Sequence, residues 1–156
     1  MKKFWDKIKE NRNLLDNIFL FLIAIILCIP MFGSGNDIFF DDGSQHLMRA
    51  YGSYRSVVQN ETQNIISDFA NGFGYSWNLF YGPLSADCII VMSLLFGTFN
   101  LGFKITMFAI LSLAGCLMDK FVKEMTEDRN TALLAGIIYM TSPYFFTDIY
   151  IRHAIR

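Results

Sequence analysis

Charge is scarce in this sequence, and neither sign has a local excess large enough to name a partner. Thirteen Lys and Arg stand against fourteen Asp and Glu, for a net charge of −1. No basic stripe runs along any segment, so nothing recommends a nucleic-acid partner. Cysteine is sparser still. Cys28, Cys88 and Cys116 each lie inside an apolar run, without a second cysteine or a histidine at ligand spacing. That excludes a disulfide framework and a zinc site, and the three read as small apolar residues. What fills the chain instead is apolar: 53% of its 156 residues are hydrophobic, with 16 Phe and 8 Met. A soluble core of this length rarely hides so much. The composition predicts an all-α membrane protein with three transmembrane helices, a fourth being conceivable.

Residues 1–13 form a basic tail, with Lys2, Lys3, Lys7, Lys9 and Arg12 against Asp6 and Glu10. Leu14 to Phe32 follows as 19 residues of near-continuous apolar sequence. At about 1.5 Å per residue this crosses a hydrocarbon core of about 30 Å. The basic flank predicts a cytoplasmic N-terminus in a multi-pass membrane protein. A cleaved signal peptide is the competing reading. The run ends in Met31-Phe32-Gly33-Ser34-Gly35, a weak cleavage site, which favours a retained anchor. Beyond an outer loop (33–100) come a second span (101–118), a polar cytoplasmic loop (119–130) and a third span (131–147). Residues 148–156 then begin a second outer loop. Leu84 to Phe96 is apolar but holds Asp87 and covers only about 20 Å as helix. Lys and Arg divide eight to five between the two sides whether or not this segment crosses. Its length therefore decides, and it reads as a half-embedded juxtamembrane helix.

The outer loop carries DIFFDDGSQHLMR (37–49), which brings together adjacent carboxylates Asp41 and Asp42, a Gly, His46 and Arg49 just after the first apolar run. Asp42 followed by Gln45 resembles a capping box and predicts a helix over about 43–60. That helix would set Asp42, His46 and Arg49 along one flank. Leu47, Ala50, Tyr51, Tyr54, Val57 and Val58 would form an apolar face lying on the membrane, with Ser44, Arg49, Ser53, Ser56, Gln59 and Asn60 opposite. Two readings stand side by side: an ordinary helix start, or carboxylates Asp41 and Asp42 held at the membrane face for chemistry on a lipid-borne substrate. Downstream, FANGFGYSWNLFYGPL (69–84) interleaves aromatics with Gly72, Gly74, Gly82 and Pro83. This predicts an ordered loop whose aromatics, Tyr81 among them, serve as an interfacial belt or as platforms for a sugar or isoprenoid.

Taken in order, DDGSQHLMRAYGSYRSVVQNE, ANGFGYSWNLFYGPLS and ALLAGIIYMTSPYFFTDIYIRHAI resemble the N-terminal part of a bacterial GT-C type membrane glycosyltransferase, closest to the YfhO-like and "6-pyruvoyl-tetrahydropterin synthase-related" membrane families. The resemblance covers most of residues 37–155. It implies a first outer loop with a catalytic acid, matched by Asp42 with Asp41 beside it. His46 and Arg49 fall at that motif's polar positions. It also implies a second outer loop whose start is matched by Asp148, Arg152 and His153. A second acidic residue follows in the family after His-Ala-Ile, together with many further spans; here the sequence ends at Arg156. What the resemblance implies is therefore the front of an enzyme that is inactive by itself and partnered by its remaining part or by another membrane subunit. Its donor would be a polyprenyl-phosphate sugar. Transfer from such a donor needs a base near the acceptor hydroxyl, and a cation or metal for the departing phosphate. Asp42 suits the first task or a divalent cation such as Mg or Mn, and Arg49 or Arg152 suits the phosphate.

Two rivals come from other classes. A small membrane scaffold would use the amphipathic helix and aromatic loop for contacts and need no acid. A transporter would carry ionisable residues at mid-membrane, whereas these spans read as almost free of charge.

Overall fold

A computed structural model describes residues 2–33, 43–62, 65–67, 69 and 71–152. Helix α1 runs from Lys2 to Gly33, α2 from Gly43 to Val58, and α3 is the single turn Trp77–Phe80. Then follow α4 (Leu84–Phe96), α5 (Phe99–Thr126), α6 (Arg129–Met140), α7 (Pro143–Phe146) and a π-helical turn, Thr147–Arg152. Among the described residues no strand occurs; extended pairing is limited to one antiparallel bridge between Ile66 and Tyr75. Three stretches are long and apolar enough to cross a membrane: Arg12–Phe32, Phe99–Thr126 and Arg129–Tyr150. The chain is thus an all-α membrane protein. It divides into two compact units, residues 1–35 with 108–145, and residues 36–107 with 146–156.

In the first unit, one stripe of α1 faces inward. Asp16, Leu20, Ala24 and Cys28 recur every four residues and are at most 2% exposed, the spacing that keeps side chains on one helical face. Leu15, Ile18, Phe19, Leu22, Ile26 and Ile29 point outward and stay exposed, an apolar surface of the kind that lipid covers. Inside, the contacts are made through small residues. A Cβ on Gly136 of α6 would stand 2.9 Å from the Gly115 carbonyl oxygen of α5 and 3.3 Å from Leu20 of α1. Gly115 in turn lies against the Met140 side chain. Without water to drive association, backbones that approach closely gain dispersion contacts, and glycine permits the approach. Phe21 and Phe108 add an edge-to-face pair at 5.0 Å.

The charged residue in that stripe is what ties the unit together. Asp16, only 1% exposed, accepts hydrogen bonds from Arg129 Nε at 2.9 Å, Arg129 Nη2 at 2.6 Å and Lys123 Nζ at 3.0 Å. Asp119, one helical turn before Lys123, is 4% exposed, and its Oδ1 has no hydrogen-bond partner among the described residues. The spans are therefore less free of charge than the sequence suggested: two carboxylates lie buried at the end of this unit where α5 turns into α6. The ion pairs hold the beginning of the apolar part of α1 beside the α5–α6 turn.

Boundaries differ from the expected ones where polar residues are good helix formers. The block 119–130, expected as a loop, continues α5 to Thr126, because Lys and Glu sustain a helix as well as Leu does. Only Glu127, at φ 56°, and Asp128 form the turn. The tail 1–13 is helical from Lys2. The third apolar run is interrupted: α6 stops at Met140, and Pro143, which lacks an N–H, opens a new short helix.

In the second unit α2 packs against α4. The packed side of α2 is not its greasy side. Gly43, Ala50, Gly52, Ser53 and Ser56 are buried, while Met48, Tyr51 and Val58 are exposed. Ser53 and Ser56, expected on a solvated flank, are small enough to let a neighbour close in. A Cβ on Gly52 would meet Ile66 Cγ2 at 2.9 Å. Helix α4 ends at Gly97, whose φ of 83° turns the chain at once into α5. Buried Ser93 donates to the Ile89 carbonyl at 2.6 Å, so its hydroxyl is satisfied within its own helix.

Asp16→Asn removes the charge that answers both cations. Because Arg129 keeps 43% of its side-chain surface and Lys123 20%, the expected loss is about 1–3 kcal/mol, below the range for a fully buried pair. Thermal unfolding in detergent measures it, and an unchanged midpoint would remove this cluster as the unit's fastener.

Asp128 caps α6. The Thr131 hydroxyl and the Thr131 N–H (2.9 Å) both donate to its carboxylate, holding its pKa below the ordinary 3.8. Its stabilisation is therefore complete above that value and lost as pH falls through the lower folded-state pKa. The gap in melting temperature between wild type and Asp128→Ala should be flat near neutral pH and close below pH 3.8. A gap that widens on acidification would refute the cap.

Candidate functional site

The expected site residues separate into those the structure describes and those it does not. Asp41, Asp42 and His153 lie outside the described residues, and with them the proposed cap and the candidate ligand for a divalent cation. Arg152 closes the π-helical turn, its side chain likewise outside the described part. His46, Arg49, Tyr81 and Asp148 are all placed, and all belong to the second unit.

Arg49 projects from α2 onto the aromatic loop. Its guanidinium carbon sits over the Trp77 ring, 3.8 Å from the centroid, and 5.9 Å from the centroids of both Tyr75 and Tyr81. Tyr81 stacks on Trp77 at 3.8 Å with 17° between planes, and Tyr75 stacks on it more loosely at 6.3 Å. Local chemistry explains the loop. Asn71, Gly72 and Gly74 all take positive φ (56°, 88° and 82°), folding the chain back so that Tyr75 pairs with Ile66 at 2.9 and 3.1 Å. The turn Trp77–Phe80 then sets Trp77 and Tyr81 four residues apart on one face. Asn78 Nδ2 donates to Ser53 Oγ at 3.3 Å and joins the loop to α2.

Arg49 and Tyr81 are therefore brought together, with Trp77 between them. Arg49 also donates from Nη2 to Gln45 Oε1 at 3.3 Å. One such bond uses a fraction of a guanidinium's five donors. His46, one turn before Arg49, is half-buried. Asp148 is 7% exposed and sits in the π-helical turn, which packs against α2 within the same unit. The segments 43–58 and 147–152 thus meet. Among the described residues no group of His, Cys, Asp or Glu is arranged to hold a metal.

Sequence reasoning missed two things. Trp77 was visible as one aromatic among many, but its pairing with Arg49 joins residues far apart in the chain. Asp16 had a clearer signal, a carboxylate inside an apolar run with spare cations in a polar block downstream.

No family model matches the sequence, and no solved structure matches it. The chain is similar to an uncharacterized protein of Lactococcus lactis subsp. cremoris (strain MG1363), with 26% identity over 141 residues. The matched region is 86% of this chain and 22% of that relative, so the chain spans about a fifth of the relative's length.

Trp77→Ala takes away the surface on which Arg49 rests. A cation–π contact of this kind is worth about 0.5–2 kcal/mol, and the loop should loosen by that amount. Amide hydrogen exchange across 71–83 is expected to accelerate several-fold while exchange in α5 is unchanged; equal rates would mean that the stack holds nothing in place.

Proposed function

We propose that this chain is the front portion of an integral membrane glycosyltransferase of the GT-C type, taking sugar from a polyprenyl-phosphate donor in cell-envelope assembly. In this reading it sits in the bacterial cytoplasmic membrane with its N-terminus in the cytoplasm. The observation that carries it is the packing of the π-helical turn bearing Asp148 against α2. These are the segments to which the resemblance assigns the two polar loops of one site, and they belong to one compact unit. Asp42 would act as base or hold a divalent cation. Arg152 or Arg49 would meet the donor phosphate, and Tyr81 the sugar or the lipid. As the front of a larger enzyme it would supply one wall of the site, with the remaining part or another subunit supplying the rest.

A second reading, a membrane scaffold without catalysis, is favoured by one observation. Arg49 is already engaged by Trp77, Tyr75 and Tyr81, which gives it a structural task needing no substrate.

Photoreactive polyprenyl-phosphate sugar added to membranes containing the chain separates the two. The expected result is light-dependent labelling that unlabelled donor competes away and that falls at least about tenfold in Asp42→Asn, a loss on the scale of one charge-assisted contact. Asp41→Asn should be milder, and insertion normal in both. Labelling that resists competition, or that survives Asp42→Asn, leaves the scaffold.

Orientation is read separately. In a background lacking Cys28, Cys88 and Cys116, an impermeant thiol reagent outside the cell should modify Tyr150→Cys and spare Met125→Cys. The reverse pattern would invert the topology.

A further inference from the structure

We infer that the aromatic loop and Arg49 together form a lipid-docking surface, in which the loop's apolar tips enter the outer acyl layer and Arg49 takes the phosphate of a membrane phospholipid. The inference stands apart from the glycosyltransferase reading, and it leaves Arg152, of the two arginines, to a donor.

Exposure is the first ground. Phe73 is 93% exposed, Phe80 78%, Leu84 75% and Leu79 62%. Four large apolar side chains so exposed within one short stretch are more than a soluble surface usually carries, and such exposure marks a binding partner or a membrane. The second ground is charge. From Phe69 to Ala86 the sequence has no Asp, Glu, Lys or Arg, so inserting the loop into acyl chains desolvates no ion. The third is continuity. The loop runs directly into α4, whose Val91, Leu94, Leu95 and Phe96 are also exposed, and α4 turns at Gly97 into the membrane-spanning α5. The chain thus passes from the exposed loop through an exposed apolar helix into a segment long and apolar enough to cross a membrane. That selects lipid over a protein partner.

Arg49 supplies the polar half. Tyr and Trp side chains settle at headgroup depth because one end is apolar and the other hydrogen-bonds, and the guanidinium lies on just such a group. Among the described residues no carboxylate pairs with it. Its bond to Gln45 leaves donors for a planar, bidentate grip on a phosphodiester. Tyr75, Trp77 and Tyr81 would hold that guanidinium at the depth where phosphates lie.

The sequence has two tryptophans, Trp5 and Trp77, so Trp5→Phe makes Trp77 a sole reporter in the full chain. In phospholipid vesicles, lipids brominated near the headgroup should quench Trp77 by more than about half, and more strongly than lipids brominated deep in the chain, the pattern of interfacial aromatics. Aqueous iodide should quench it weakly. Moving to phosphate-free glycosyl-diacylglycerol vesicles should shift Trp77 emission in the wild type and not in Arg49→Gln, with Arg49→Lys between them. Free inorganic phosphate added to the glycolipid vesicles should not restore the phospholipid emission; restoration would mean a soluble phosphate site and overturn the lipid assignment. Strong iodide quenching without bromolipid quenching would put the loop in water. Quenching by neither would put a protein over it, a second copy or another chain. Either result overturns the proposal, as does an emission shift that Arg49→Gln retains.

Discussion

A carboxylate in a membrane-spanning helix has to find cations, because leaving a charge unpaired in an apolar medium costs more than the rest of a helix contact returns. Asp16 finds two, and much of the first unit follows from that requirement. Lys123 must lie on the inner side of α5 and Arg129 must begin α6 within reach, so the turn between them can be only two residues. Arginine meets the carboxylate with two nitrogens and lysine with a point charge, which spreads the bonds over both oxygens. Asp119, one turn before Lys123, is buried at the same end of the unit.

Beyond the ion pairs, the two units are held by the same device, small residues at crossings. Gly136 against Gly115, Gly102 against Ser93, and Gly52 against Ile66 each mark a place where a methyl group would collide with a neighbour. Bilayer lipid is as apolar as leucine, so large apolar side chains have no reason to prefer the interior. Many stay outside, as the exposed rows on α1 and α4 show. The interior mixes large side chains such as Leu20, Met107, Leu111 and Met140 with glycine, alanine and serine at the closest approaches, and the hydroxyls of Ser93 and Ser112 bond back to their own helices.

The aromatic loop is where packing and function meet. Its stack gives Arg49 a fixed position instead of a solvated, mobile one, and the same geometry serves a scaffold, a phosphate contact or a lipid anchor. The proximity of the π-helical turn to α2 adds weight to a catalytic reading, since it joins the two segments in which the polar motifs sit.

Much of this was legible in the residues. The 3.6-residue spacing from Leu47 to Val58 marked α2, the short apolar stretch closed by Gly97 marked α4, and the long apolar runs marked the stretches able to span a membrane. These are local properties, settled by chain geometry and by the thickness of a bilayer. The faces were not legible. Hydropathy put Ser53 and Ser56 toward solvent, but the packed face of α2 is chosen by closeness of approach, which depends on what lies across the contact. The partners of Asp16 and Arg49 were hidden for a related reason. An ion pair or a cation–π contact is a distance between side chains remote in sequence, and sequence determines which groups must be satisfied without saying by whom. That choice was made only when α1, α5 and α6 packed together, and when the glycine turns of the loop folded Trp77 back over α2.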